Sequence, residues 1–210
     1  MNGTFFYIGL GLGLAAACGV RPFLPVLLAG ALGSAGALGV TFAHGRFTFL
    51  QSTWWLVAAA VGLVLAYALQ LGLGLTPMLT SGADQSVRRA DPLAAALSGI
   101  AYGTGALLFA GTLAAHGDTW WPGLLGGLAA AGLAQRAVAP VVAGARSRLP
   151  DRQSREAVTV YLDGVALLMD ALVALLHPLG YVLVALFAWL LVRTRARAGA
   201  KYAGLRILRR

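Results

Sequence analysis

The chain has 210 residues, 59% hydrophobic and 11% charged, with mean hydropathy +0.79 and a formal charge of +9. Soluble domains carry about 25% charged residues, and the apolar residues here fall in long blocks with brief polar punctuation, so a soluble helical core and a β-barrel of alternating segments are both excluded. Seven of the sixteen basic residues follow Leu191 and four lie between Arg146 and Arg155, flanking apolar blocks, which points to membrane orientation and not to nucleic acid.

Residues 5–39 are apolar apart from Arg21 and a few small polar residues. A span needs about 20 residues, so this block is long for one straight helix and tight for two. Arg21, Pro22 and Pro25 interrupt it, and Gly30, Gly33, Gly36 and Gly39 loosen its end. Ala15-Ala16-Ala17-Cys18 has the outline of a lipoprotein processing site, but no basic residue precedes Arg21, so the segment is expected to be retained. The lone cysteine forms no internal disulfide.

A loop from Thr41 to Thr53 with His44, Arg46 and Gln51 leads to a second span, Trp54 to Leu75. The polar stretch Thr80 to Asp91 carries Arg88 and Arg89. Pro92 suits the first turn of a helix running to Ala115. After His116-Gly117-Asp118, Trp121 to about Ala145 forms another span, expected to be interrupted at Arg136 and Pro140. A basic loop, Arg146 to Glu156, precedes Ala157 to Val192, which His177-Pro178 divides into two spans.

Counting basic residues puts the 146–156 loop, the 80–91 loop and the tail in the cytoplasm, and the 41–53 and 116–120 loops outside. The tryptophan pairs Trp54-Trp55 and Trp120-Trp121 sit at those two outer loops, as an interfacial belt requires. Fifteen Arg against one Lys in an Ala/Gly-rich chain resembles the coding bias of a GC-rich bacterium, so the expected location is a bacterial inner membrane, multi-pass, with the C-terminus cytoplasmic.

An offset of 115 matches Gly11, Ala15, Ala16, Arg21, Pro25 and Val26 to Gly126, Ala130, Ala131, Arg136, Pro140 and Val141, and only these two places carry Arg-x-x-x-Pro-Val. If residues 5–39 cross once, the halves are inverted and both termini lie inside; if twice, the halves are parallel and the N-terminus is outside. The even partition favours the first. The expected fold is therefore an all-α polytopic transmembrane bundle of about six spans, a 3+3 inverted repeat with interrupted helices. Its transmembrane domain covers 1–192, with halves of approximately 1–115 and 116–192, and a basic tail covers 193–210.

Proline in a helix costs about 3 kcal/mol and arginine at membrane depth about 2.5–3.5 kcal/mol on insertion scales. Both together, twice, suggest broken helices whose free amides, with Arg21 and Arg136 beside Pro25 and Pro140, face an anionic group. The bland alternative is that each arginine snorkels and each proline kinks. Asp163, Asp170 and His177 recur every seven residues, close to two turns, and so share one stripe. They mark an ion path or neutralise the arginines. Gln70, Tyr67 and Tyr102 are further polar liners. Gly9/Gly13, Gly99/Gly103 and Gly123/Gly127 fit close helix packing. No metal cluster or nucleophile-base arrangement follows from the spacing, so an enzyme, a metal and a cofactor are not expected.

The stretches Gly13-Leu-Ala-Ala-Ala-Cys-Gly-Val-Arg-Pro-Phe-Leu-Pro-Val-Leu-Leu28, Tyr161-Leu-Asp-Gly-Val-Ala-Leu-Leu168 and Gly204-Leu-Arg-Ile-Leu-Arg209 resemble a bacterial membrane family known as domain of unknown function 4126. That family carries an acidic residue and an Asp-Lys-x-Pro motif on its second span, and a Gly-Asn-Pro stretch before the acid of the sixth segment. The matching places here read Gln70, Gly74-Leu75-Thr76-Pro77 and the Arg152–Glu156 loop. The resemblance implies a polytopic helical fold and carries no activity with it.

The expected function is a small transporter or channel for an anion or a phosphate-bearing lipid, with Arg21 and Arg136 facing it. The alternatives are a non-transporting scaffold or lipid-binding protein, and a cation or proton pathway on Asp170 and His177. The bilayer is the expected partner, with anionic lipid at the basic tail; a homo-oligomer is compatible with the pattern.

Overall fold

The computed structural model describes residues 3–43, 45–72, 92–149 and 151–207. Within them the chain is helical: α1 (Thr4–Val20), α2 (Phe23–Ala35), α3 (Thr53–Gly72), α4 (Pro92–Ala115), α5 (Trp121–Arg146), α6 (Arg152–Leu175) and α7 (Leu179–Ile207), with a 3-10 turn at Thr48–Gln51. Four segments are long and apolar enough to cross a membrane: Ala95–Ala115, Trp121–Arg146, Ala157–Leu175 and Leu179–Ala196. α1, α2 and Thr53–Leu69 are shorter apolar helices. His44, Gly74–Pro77 and the Thr80–Asp91 loop with Arg88 and Arg89 lie outside the described residues, as do the Gln70 side chain and Leu208.

α1 is the hub. α4, α5, α6 and α7 all pack on it, and every residue from Gly13 to Val20 is buried. Glycine and alanine allow this approach, because a Cβ on Gly9 would lie 2.5 Å from the His177 carbonyl oxygen and one on Gly13 would lie 2.5 Å from Val173. A Cβ on Gly180 would overlap the Gly9 carbonyl. α4 and α5 close on each other in the same way, through Gly127 against Gly105 and Ala106, and Gly123 against Ala110. Small residues at helix contacts are how backbones approach in a medium that offers no hydrophobic drive between helices. The Gly99/Gly103 pair does not take part: a Cβ at either meets nothing within 4 Å.

The chain breaks at Arg21-Pro22 because the residue before a proline is driven from the helical to the extended region. Arg21 has φ −148° and ψ 117°, and its N–H closes α1 on the Ala17 carbonyl at 2.9 Å. Pro25 falls in the first turn of α2, where it disrupts little. α2 then returns: His177 lies against both Gly9, near the start of α1, and Gly39, beyond the end of α2. Residues 5–39 thus go and come back, which overturns the single crossing. Among the described residues four helices precede residue 116 and three follow, so an even three-plus-three partition is not seen there.

The second expected break is also absent. α5 runs unbroken through Arg136 and Pro140. Its other face is held by the buried run Ala130, Ala131, Ala134 and Ala137, while Arg136 and Pro140 themselves are exposed. The two Arg-x-x-x-Pro motifs therefore occupy different structures. The division at His177-Pro178 is present, but α7 packs on α1 and α5 more than on α6. The basic tail continues α7 helically to Ile207.

The 41–53 segment is more than a surface loop. Phe42 and Leu50 are buried, Phe42 fills the space over Gly33 and Gly111, and its N–H donates to the Gln51 Oε1 at 3.2 Å. α2 spans only about 20 Å, and this packed non-helical plug extends it, as buried backbone at such depth must when it is not helical. Phe47 and Phe49 of the plug meet Trp120 at 6.1 Å and Trp55 at 5.3 Å, so the two tryptophan pairs belong to one end of the bundle.

Gly127→Val should destabilise the fold by about 1–3 kcal/mol through overpacking, whereas Gly103→Ala should be neutral or gain up to about 1 kcal/mol. Thermal unfolding of the two variants in micelles checks this; equal losses would contradict the assignment of the packed face.

Candidate functional site

At the end of the bundle opposite the tryptophans, the α1–α2 break holds Arg21 against α6. Its Nε lies 2.6 Å from Asp163 Oδ1, and its Nη2 donates to the Thr159 carbonyl at 3.1 Å. Thr159 and Asp163 are four apart and so share one face of α6. Arg146, at the last turn of α5, donates from Nη2 to Thr159 Oγ1 at 2.6 Å. Both arginines are buried, at 8% and 7% exposure. Two guanidiniums thus converge on one threonine, Asp163 pairs with the first of them, and the second oxygen of Asp163 and Nε of Arg146 have no hydrogen-bond partner among the described residues.

Beside this cluster is a small open cleft, bounded by Arg21, Phe23, Leu24, Leu63, Tyr67, Leu97 and Asp163. The backbone N–H groups of Phe23 and Leu24 begin α2, before its ladder of hydrogen bonds, and point toward the helix's positive end. The cleft therefore has the Arg21–Asp163 ion pair and the start of α2 at its base and is apolar along Leu24, Leu63 and Leu97.

Of the residues expected to form a site, the structure brings together Arg21 and Asp163, with Tyr67 on the wall and Pro25 buried nearby in the first turn of α2. It does not bring in Arg136. That side chain is exposed on α5 while Gln135 and Ala137 beside it are buried, so the expectation that Arg136 and Pro140 face a central group is corrected. A lipid-facing arginine reaches an interface along its own stem. Gln135 instead bonds Ser98 of α4 and ties the two helices. The second buried arginine is Arg146, which a count of loop charges treats as an orientation signal. The signal for it was the Thr159-x-x-x-Asp163 pair on the facing helix.

Asp170 lies deeper, fully buried, beside Cys18 of α1. His177 belongs to the opposite end, half-buried near Gly39 and His116, whose ring stacks on Tyr7. No group of three or more metal-ligating side chains occurs among the described residues. The chain matches no family model, no curated protein and no solved structure.

Removing the acid should be costly: Asp163→Asn leaves the Arg21 charge buried without its counter-ion and is expected to lose about 3 kcal/mol or more, against about 0.5 kcal/mol or less for Arg136→Gln. Chemical unfolding in micelles measures both. A separate prediction concerns pH. Burial, then the neighbouring His116, holds His177 below the ordinary histidine range. The unfolded chain then takes up this proton first, so stability should fall as pH drops from about 7 to 5. His177→Gln should flatten that slope in the melting temperature; an unchanged slope would assign it to other groups.

Proposed function

We propose that this is an integral membrane protein that binds an amphipathic anion, of the class of phosphate-bearing lipids, at the cytoplasmic end of its bundle and passes it across the bilayer. The observation that carries the reading is the pair of buried arginines, Arg21 and Arg146, held on Thr159, with Asp163 paired to the first of them. The guanidinium of Arg146 has no counter-ion among the described residues, and it stands on Thr159 next to the Arg21–Asp163 pair that lines the cleft, so its charge attracts an anion to this end. Arginine suits phosphate because its planar fork presents parallel donors, and the start of α2 adds backbone N–H groups. The apolar wall of Leu24, Leu63 and Leu97 suits an acyl chain better than a small hydrated ion.

Basic residues set the orientation. Arg146, Arg148 and the tail lie toward the arginine end, so that end faces the cytoplasm and the tryptophan end faces outward. Seven helical segments then put the start of α1 outside and the tail inside, in a bacterial inner membrane. The plug of Phe42 and Leu50 closes the outer end while the arginine cleft is open, a state that suits alternating access. The resemblance to domain of unknown function 4126 agrees with a membrane location and adds no activity.

One observation favours a second reading. The Arg21–Asp163 pair and the close-packed core around α1 are also what a lipid-binding scaffold without transport would have. Proteoliposomes separate the two. Wild-type protein should bind and move a fluorescent phospholipid between leaflets; Arg21→Gln and Arg146→Gln should each weaken binding about tenfold or more, the loss of a charge-assisted hydrogen bond, and Arg136→Gln should leave it unchanged. Binding without movement would favour the scaffold. Binding indifferent to Arg21 and Arg146 would sink the site.

A further inference from the structure

One buried group has no part in the anion cleft. Asp170 sits on α6 at 0% exposure, with neither carboxyl oxygen hydrogen-bonded. Its surroundings come from two other helices: Cys18 of α1 lies within electrostatic range, and Thr104 of α4 is hydrogen-bonded to that thiol. The Thr104 hydroxyl also donates to the Ile100 carbonyl of its own helix at 2.8 Å. Among the described residues no cation is placed to compensate a charge on Asp170. Arg21 is taken by Asp163, seven residues and about 10 Å along α6; Arg146 is on Thr159, farther still toward the same end. On α7, Arg193 and Arg195 lie beyond the last apolar turns, with Arg193 stacked over Trp189. Arg136 of α5 is exposed. Tyr181 and His177 belong to the opposite end of the bundle, where the Tyr181 hydroxyl donates to the Phe5 carbonyl.

An ionised carboxylate in such a place would lose its hydration and gain nothing, at a cost of several kcal/mol; a neutral acid loses only what a buried polar group loses. Ordinary structural roles for this residue are absent as well, since it caps no helix, pairs with no arginine and bonds no backbone among the described residues. Its stripe does lead somewhere. Asp170 and Asp163 share a face of α6, and Cys18 and Arg21, three apart on α1, face them in the same order, so the acid stands about two turns above the arginine cleft.

We propose that Asp170 is a proton-binding site, loaded with a proton in this conformation and exchanging it with water through the Asp163–Arg21 end of the bundle. Proton uptake neutralises the acid and allows α6 to close on α1; release leaves a carboxylate that must find a donor, and among the described residues the guanidinium along its stripe is that of Arg21. A proton on Asp170 thereby favours the Arg21–Asp163 pairing described above, and its loss competes with that pairing. This site does not depend on the anion reading, because it needs no ligand in the cleft.

Infrared spectroscopy of the full chain in lipid nanodiscs, at neutral pH and with no added anion, tests it. A protonated-carboxyl band should be present in wild type, vanish in Asp170→Asn and remain at a displaced frequency in Asp170→Glu. On transfer to heavy water the band should shift, which shows that the proton exchanges. The Glu variant keeps the experiment decisive if Asn fails to fold, because a retained and displaced band makes the same assignment. Absence of the band in wild type, its persistence in folded Asp170→Asn, or a band that never shifts in heavy water would each overturn the proposal. Lipid movement that fails while this band behaves as stated would remove the transport reading and leave the proton site standing.

Discussion

Close approach of backbones to α1 is the constraint on which the rest depends. A helix buried on all sides has no polar face to give to solvent, and α1 has none: from Gly13 onward each residue is covered. Four helices can surround it only because glycine and alanine leave their backbones in near contact, at Gly9 with the 177–180 turn, at Gly13 with Val173, and at Gly19 with Ala131. That geometry also fixes where α1 can end. Arg21 leaves the helix extended, and its side chain meets α6 at the level of Asp163. A larger residue upstream would tilt α1 and move Arg21 away from Asp163, so the packing and the charge cluster form one system.

Prolines show how context decides a break. Pro22 and Pro140 each follow an arginine, directly or at four residues, yet only the first ends a helix. Before Pro22, Arg21 is released into the extended region and the chain reverses. Before Pro140, α5 is already fastened to α1 and α4 through a run of buried alanines, and Pro140 faces outward, where its ring strains little. The intrinsic cost of a proline is similar at both places; the tertiary contacts differ.

Much of the fold was legible in the sequence. Pro92–Ala115 and the division at His177-Pro178 follow from run length and breakers alone, because apolar blocks in a membrane have few alternatives to helix. The turn at Arg21 was visible as an interruption, but its direction was not: a reversal and a kink use the same residues, and the uncharged start of the chain gave the orientation rule nothing to weigh. Matching the two Arg-x-x-x-Pro motifs misled for a related reason. Identity at a fixed offset records residue types, whereas Arg136 and Arg21 differ in which side of the helix is covered. The heptad stripe on α6 read correctly at Asp163 and Asp170, since a period of seven fixes a face regardless of neighbours. It overreached at His177, which lies past the helix end. Arg146 was hidden in plain view, because its charge had a sufficient explanation as a loop residue.

The two ends of the bundle are built from different chemistry, and the difference bears on direction. The tryptophan end is filled by a plug in which the Phe42 N–H donates to Gln51 and the Ala43 N–H to Thr41, and it presents aromatic faces. The arginine end leaves donors uncommitted at the start of α2 and on Arg146. Between them, Leu10 and Leu14 of α1 sit in a buried apolar cluster among the described residues. The break at Arg21-Pro22 is where α2 leaves α1. An anion that draws Arg21 from Asp163 would act on that same joint. Ligand charge and helix geometry are coupled there through a single residue.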